Sequence, residues 1–282
     1  MKHTHTVRRL VAAMTESEAI GLKKKRLTMA DIDHIVTESE TGVDENGNVV
    51  YILVKNVIPY EYCKAAYDVA VKAAKQPIAG GSRADAAGAG MELRKRKDGT
   101  TSNRFAVPHM PELEGARTVN LGFYNDPACR KTAFTARDWE GFLECLPLTR
   151  CVDSVFSEFH PDRYATQAEA AKRVDPQYVI DKTAFTGVVV NENFPTAVHT
   201  DANDLKSGFG ALTLLTAGKF AGGQFAYPRY HIAVEYGMGD VLLANVHQPH
   251  GNLPIVGEKG EYVRLALIFI FREAMLAACP NK

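Results

Sequence analysis

The chain has 282 residues, of which 46% are hydrophobic and 23% charged, and this ordinary globular composition excludes a disordered protein. Its 33 basic residues balance its 33 acidic residues, so no global charge indicates a nucleic-acid or membrane partner, although a local patch would suffice for one. The apolar run Leu265–Phe271 is far shorter than the roughly 20 residues that span a bilayer.

The N-terminus lacks the apolar stretch of roughly 7–15 residues that a secretory signal needs. The five cysteines include no CxxC pair, which argues against a disulfide framework or a thiolate zinc site. We therefore expect an intracellular protein, in the cytoplasm or nucleus, without a membrane segment.

In the first half of the chain, residues 49–54 (VVYILV) follow turn-forming residues and predict a strand. Pro59 predicts the start of a helix whose apolar residues recur at i, i+3/i+4 spacing. Residues 79–104 are rich in basic residues and glycine and predict a flexible region or an edge hairpin. Thr135 predicts the N-cap of a helix over 136–146, and Thr166 that of a helix over 167–174.

After residue 183 the pattern changes to short β-rich runs separated by glycine, proline and asparagine turns. These runs are 183–190, 209–216, 231–236, 240–244 and 263–271. Several short strands spaced in this way predict a sandwich or barrel, and a jelly roll closes with about eight. We predict an α+β protein, with an N-terminal α/β supporting region over 1–180 and a β core over 181–282 that share one hydrophobic interior.

The segment HTD at 199–201 is the first part of a candidate metal site. Side chains two apart on a strand point to the same face, so this imidazole and carboxylate can bind one ion. The segment HPD at 160–162 has the same spacing. Its proline disfavours a laddered strand and favours a turn before the 167–174 helix, so we do not expect a metal there.

His250 and Arg264 complete the candidate site. Two histidines and one carboxylate on one face of an octahedral ion leave three adjacent positions open, which is the facial triad of non-heme Fe(II) oxygenases. A 2-oxo acid and O₂ fill such positions, and a buried arginine can bind the far carboxylate of the acid. His247 competes with His250 as third ligand, but the Gly-Asn-Leu-Pro that follows His250 and its distance to Arg264 favour His250.

The segment 191–271 resembles the catalytic core of the TET/JBP dioxygenases. The matching pieces are HTDAND at 199–204, FAGGQF at 220–225, GMGDVLL at 237–243, HGNLP at 250–254 and the last strand, which begins at Arg264. The resemblance implies a double-stranded β-helix (jelly-roll) core. It also implies an Fe(II)- and 2-oxoglutarate-dependent enzyme that uses O₂ to oxidise the 5-methyl group of a nucleic-acid pyrimidine.

Carried over by position, the resemblance implies that His199, Asp201 and His250 are the iron ligands and that Arg264 anchors 2-oxoglutarate. Many members of the family have a hydroxyl residue two positions after this arginine, where this chain has Ala266. This departure leaves open how the 2-oxoglutarate pocket is completed.

Two further positions match residues that contact the target base in the family. Asp204 could accept a hydrogen bond from the exocyclic amino group of cytosine, which thymine lacks, and this favours 5-methylcytosine. Alternatively, Asp204 is an acidic loop residue that is exposed to solvent and has no role in base binding. Arg272, just after the last strand, lies near the second such position.

Bringing a base out of a duplex costs a few kcal/mol, which cationic contacts must offset. The best candidates for phosphate binding are Arg94, Lys95, Arg96 and Lys97, with Arg83 and Arg104 in the same region. A second basic run, KKKR, occupies 23–26. Either run could instead be a solvated surface or a nuclear-targeting signal.

We therefore predict a dioxygenase that flips 5-methylcytosine out of methylated double-stranded DNA and hydroxylates it, with no protein partner implied. The same chemistry on thymine, RNA or a small molecule remains an alternative, as does a jelly-roll module that binds nucleic acid without turnover.

Overall fold

The computed structural model describes residues 5–75, 92–95, 98–106, 116–125 and 128–281. Its strands are β1 Thr6–Arg9, β2 His34–Val36, β3 Glu40–Val43, β4 Val49–Val54, β5 Glu92–Lys95, β6 Thr101–Ala106, β7 Arg117–Tyr124, β8 Arg130–Lys131, β9 Gly187–Glu192, β10 Gly210–Gly218, β11 Ala221–Gly222, β12 Phe225–Tyr227, β13 Ile232–Val234, β14 Val241–Ala244, β15 Gly251–Asn252, β16 Ile255–Val256 and β17 Tyr262–Ile270. Its α-helices are α1 Glu16–Gly21, α2 Tyr60–Ala74, α3 Ala133–Arg137, α4 Trp139–Glu144, α5 Leu146–Phe159, α6 Pro161–Lys172 and α7 Met275–Ala278.

The larger sheet has nine strands in the order β1-β3-β4-β14-β10-β17-β9-β7-β8. Its central pair, β10 and β17, runs antiparallel in continuous register from Ala211↔Phe269 to Gly218↔Tyr262. Strand β4 pairs with β14, and β7 pairs with β9. Strands from before residue 180 therefore extend the sheet that later strands form, and the division of the chain at 180 stays a prediction.

The smaller sheet has four strands in the order β15-β12-β13-β2. Side chains from the inner faces of both sheets form one buried apolar cluster, to which Leu212 and Leu242 come from the larger sheet and Phe225 and Val234 from the smaller. Two sheets packed over a shared interior form the double-stranded β-helix that the sequence predicts.

The alternation of side chains along β17 decides what lies on each side of the larger sheet. Leu265, Leu267 and Phe269 pack into the cluster formed with the helices, whereas Ala266 and Ile268 belong to the cluster between the sheets. Because side chains two apart share a face, Arg264 points to the same side as Ala266 and enters the sandwich. The alternation of side chains along β17 therefore places the charged Arg264 between the two sheets.

The helices cover the outer face of the larger sheet. Helix α2 begins directly after Pro59, as predicted, and buries a face that includes Ala66, Val69 and Ala73. Both predicted threonine caps are wrong, however. Thr135 lies within α3 and is buried, and Asp138 caps α4 instead. Thr166 lies within α6, because that helix already begins at Pro161, where proline suits the first turn.

Two further observations concern the sequence predictions. Strands β5 and β6 pair antiparallel as in the predicted hairpin, while residues 79–91 lie outside the described residues. Cys129 and Cys279 form a disulfide, although the cysteine pattern argued against a disulfide framework. They are 150 residues apart, and such a pairing leaves no local pattern. In the described residues no helix is sufficiently long and apolar to cross a membrane.

Candidate active site

His199 and His250 lie opposite each other in an isolated antiparallel bridge between the segment after β9 and the turn before β15. The backbone N–H of His199 donates to the carbonyl of His250 at 2.8 Å, and the reverse bond is 2.9 Å. The centroids of the two rings are 4.4 Å apart. Backbone pairing therefore holds together two imidazoles that are far apart in the sequence.

Both imidazoles are oriented by a carbonyl close to them in the chain. Nδ1 of His199 lies 2.9 Å from the carbonyl oxygen of Ala197, and Nδ1 of His250 lies 2.9 Å from that of Gln248. A carbonyl only accepts, so each Nδ1 must carry the proton in these bonds. The Nε2 atoms are directed to Asp201, at 3.5 and 3.7 Å from its carboxylate oxygens. This tautomer is the one in which Nε2 binds a metal.

The ligand atoms of His199, Asp201 and His250 all lie within 4.8 Å of one another, and this is the only such group of three found in the described part of the chain. Adjacent ligands about 2.1 Å from an octahedral ion are about 3 Å apart. Each histidine–carboxylate distance would thus need to shorten by less than about 1 Å. Two nitrogens and one carboxylate, with a cavity beside them, are the donor set of a facial Fe(II) site.

The environment of His250 favours its neutral form. Burial, followed by the nearby His199, lowers the pKa of His250 to about 4. The ring of Phe225 stacks on the imidazole, with centroids 4.9 Å apart and planes 13° from parallel. His250 is therefore unprotonated at neutral pH, as a metal ligand must be.

Arg264 is the buried cation of the site, with only 3% of its surface exposed. Its Nη2 donates to the carbonyl of Gly223 at 2.6 Å, while its buried Nε has no hydrogen-bond partner. Burial lowers its pKa, and the nearby phenol of Tyr236 partly offsets this effect. No carboxylate forms an ion pair with Arg264 within the described ranges. An unneutralised buried guanidinium fits the far carboxylate of a 2-oxo acid.

The glycine pair before β12 gives this arginine its space. A Cβ on Gly223 would lie 2.8 Å from Nε of Arg264, and one on Gly222 would lie 1.9 Å from the carbonyl oxygen of Pro254. Both glycines also have positive φ, +79° at Gly222 and +75° at Gly223. The FAGGQF segment therefore needs glycine at these positions for steric and conformational reasons.

One cavity of about 470 Å³ contains the predicted site. Its lining includes His199, Asp201, His250, Arg264, Ala266, Asp204 and Arg272. Asp204 and Arg272 are paired in an isolated antiparallel bridge, which places the two candidate base-contacting residues side by side. The candidate metal-binding cluster, the buried guanidinium of Arg264 and the two candidate base-contacting residues thus line a common space.

The structure describes only part of the predicted phosphate-binding run. Arg94 and Lys95 belong to the backbone of β5, and Arg96 and Lys97 lie outside the described residues. The second basic run does reach the site, because Lys23 and Lys24 line the cavity.

The two other histidines that the sequence offered as alternatives make contacts outside the candidate metal site. Nε2 of His247 lies 3.0 Å from the carbonyl of Leu205. His160, from the second HxD segment, makes an edge contact with Phe209, with ring centroids 4.8 Å apart. Neither belongs to the cluster of three metal-ligating groups found among the described residues.

Sequence reasoning missed Tyr236, which lines the cavity beside Arg264. The available signal was an aromatic residue directly before the Gly-Met-Gly-Asp turn. Tyr236 supplies a hydroxyl group near the arginine, whereas Ala266, at the position where relatives carry a hydroxyl, supplies none.

A jelly-roll sandwich with a His-Asp-His cluster and a buried arginine in one cavity defines the class of Fe(II)- and 2-oxoglutarate-dependent oxygenases. The family model described as the oxygenase domain of the 2OGFeDO superfamily, Tet_JBP, matches residues 121–273, more than half of the chain. The chain belongs to this TET/JBP family, and its cofactor set is Fe(II) with 2-oxoglutarate and O₂ as co-substrates.

Similar proteins include the bifunctional helicase and thymine dioxygenase JBP2 of Leishmania major, 33% identical over 150 residues, which are 53% of this chain and 13% of that protein. JBP2 of Leishmania braziliensis is 26% identical over 282 residues, 97% of this chain and 23% of that protein. The chain thus spans less than a quarter of the length of these relatives. Among solved structures, NgTET1 in complex with 5mC DNA shares the fold, with a TM-score of 0.55, 12% identity and 94% of each chain covered.

Proposed function

We propose that this protein hydroxylates the 5-methyl group of a pyrimidine in DNA, with 5-methylcytosine as the preferred base. The observation that carries the proposal is that Asp204 and Arg272, neighbours in an isolated backbone bridge, line the same cavity as the His-Asp-His cluster. A negative and a positive group side by side can read the hydrogen-bonding edge of a base while its methyl group approaches the metal site.

In this proposal His199, Asp201 and His250 hold Fe(II), and Arg264 holds the far carboxylate of 2-oxoglutarate, with Tyr236 beside it. When bound, the iron with its co-substrates supplies the oxidant that converts a C–H bond to C–OH. Overall, one oxygen atom of O₂ enters the methyl group, and the other enters succinate as 2-oxoglutarate loses CO₂. The protein's own residues orient the reactants and exclude water.

The depth of the site requires base flipping. His250 and Arg264 are buried, with 4% and 3% of their surfaces exposed, so a base stacked in a duplex cannot reach them. A flipped base can enter the cavity and be read on its Watson–Crick edge.

The charge pair fits cytosine better than thymine. The Watson–Crick edge of cytosine presents a donor, N4–H, followed by two acceptors, N3 and O2. Asp204 can accept from N4–H while Arg272 donates to the adjacent acceptors, which matches the whole edge. Thymine presents its donor, N3–H, between two carbonyl oxygens, so a carboxylate that accepts from N3–H also faces an acceptor on each side.

Thymine in DNA is the second candidate substrate. Several relatives of this chain are named thymine dioxygenases, and the same two side chains could bind N3–H and one carbonyl of thymine. This candidate rests on likeness in sequence, and 5-methylcytosine rests on the donor–acceptor pattern at the cavity.

Mass spectrometry of nucleosides tests the proposal. Protein loaded with Fe(II) without oxygen is mixed with 2-oxoglutarate, O₂ and duplexes that differ at one base: 5-methylcytosine, cytosine, thymine or uracil. We expect one added oxygen on 5-methylcytosine and none on the two unmethylated controls. A product from thymine alone would select the second candidate, and the absence of any oxidised base in DNA would refute the proposal.

Asp204→Ala tests the base-reading step separately. This variant should lose oxidation of the base while it retains the visible charge-transfer absorption of the Fe(II)–2-oxoglutarate complex. Arg163→Ala, at an exposed arginine that bonds the carbonyl of Ser207, is the control and should retain both properties.

A further inference from the structure

We infer that Lys23 and Lys24 bind the DNA phosphates that flank the flipped nucleotide at the open end of the active-site cavity. This inference rests on the proposed DNA substrate and deepens it by naming a contact surface. Both side chains are exposed, and both line the cavity whose buried end is formed by His250 and Arg264.

Backbone pairing places the two lysines next to the metal site. The backbone N–H of Lys24 donates to the carbonyl of Val198 at 2.8 Å, and the N–H of Val198 donates to the carbonyl of Lys25 at 2.9 Å. Val198 immediately precedes His199. The position of the basic run is therefore tied to the segment that presents His199, the first residue of the candidate metal site.

Apolar residues at both ends hold the run on the protein. Leu27 is 1% exposed and belongs to a buried cluster with Val198 and Leu253, against which Leu22 also packs. Between these two leucines, Lys24 has a φ of 71°, a left-handed conformation that costs energy in a residue other than glycine. The fold thus keeps a strained turn where it brings two lysines to the cavity.

The chemistry at this position matches a phosphodiester backbone. When a base enters a cavity, its flanking phosphates stay at the opening, because burying an unpaired charge costs far more than leaving it in water. An exposed ammonium group at that opening binds a phosphate as a point charge and releases counterions from the DNA.

Lys25 provides a matched control from the same run. It is also exposed, and its Nζ lies 2.5 Å from a carboxylate oxygen of Asp31, but unlike Lys23 and Lys24 it does not line the cavity. Neutralising Lys25 changes the net charge by the same amount as neutralising Lys23 or Lys24, without removing a group from the cavity opening.

The experiment measures the affinity of the Fe(II)-loaded protein for a labelled duplex with one 5-methylcytosine, at several KCl concentrations. The plot of log affinity against log salt loses about 0.9 of slope for each phosphate contact removed, which at 0.1 M salt is up to about eightfold in affinity. We expect Lys23→Gln and Lys24→Gln each to reduce the slope by up to about 1, and the double variant to reduce it by about 1 to 2. Lys25→Gln should leave the slope unchanged, and Lys23→Arg/Lys24→Arg should preserve it.

The outcomes separate this inference from the proposed function. A steep slope in the wild-type protein that the double glutamine variant does not change would overturn the inference and leave the DNA substrate intact. An equal decrease in the Lys25 variant would also overturn it, since the effect would then be one of general charge. A wild-type protein that neither binds nor oxidises DNA would overturn both. Thermal unfolding and the Fe(II)–2-oxoglutarate absorption confirm that each variant is folded.

Discussion

Arg264→Lys should weaken the binding of 2-oxoglutarate while keeping the positive charge. In the structure the guanidinium donates to the carbonyl of Gly223 at 2.6 Å and still has its buried Nε without a partner. A lysine ammonium is a point charge and cannot satisfy this carbonyl and bind a carboxylate in a planar fork at the same time. Loss of one charge-assisted hydrogen bond costs about 1.5–3 kcal/mol, which corresponds to roughly a 10- to 150-fold increase in KM for 2-oxoglutarate.

The assay is succinate formation with methylated duplex as 2-oxoglutarate is varied at constant iron and oxygen. Arg150→Lys, on the helical layer and paired with Asp181, is the matched control and should retain the wild-type KM. We expect a larger change in KM than in kcat, because the anchor binds a part of the co-substrate that does not react. An unchanged KM in Arg264→Lys would refute the assignment of this arginine as the carboxylate anchor.

Three other predictions concern the same cavity. His199→Ala and Asp201→Ala should each abolish Fe(II) binding and turnover, measured by metal content and succinate, whereas His160→Ala should retain both; iron retained at wild-type affinity would argue against the cluster. Tyr236→Phe should raise KM for 2-oxoglutarate roughly 2- to 13-fold, as expected for a hydrogen bond worth about 0.5–1.5 kcal/mol, and unaltered co-substrate kinetics would remove Tyr236 from the pocket. Gly223→Ala should lower the free energy of unfolding by at least about 1 kcal/mol, because its φ is +75°, and should weaken 2-oxoglutarate binding; a stable variant with normal KM would contradict the contact with the arginine.

Some of the local structure was readable from short stretches of the chain. Strand β4 and helix α2 were predicted from their apolar periodicity and from Pro59, and both are present. The caps Thr135 and Thr166 were predicted wrongly because several residues nearby could serve as caps, and the local sequence does not rank them. Asp138 and Pro161 are at the actual helix starts.

The amino-acid sequence by itself determined the chemical class of this protein. The spacing of HTD at 199–201, the glycine pair, His250 and Arg264 along the chain indicated a metal site with a carboxylate anchor, because each of these pieces has a short-range signature. The short β-rich runs after residue 183 likewise predicted a sandwich or barrel, and the family resemblance implied the jelly roll.

Only the tertiary structure decided which distant residues complete the site. Lys23 and Lys24 come to the cavity because Lys24 and Lys25 form backbone hydrogen bonds with Val198. Tyr236, in the segment between β13 and β14, lies beside Arg264. Contacts between residues so far apart in the sequence depend on how the sheets pack, so no local sequence pattern predicts them. The same reason explains why the Cys129–Cys279 disulfide was not foreseen.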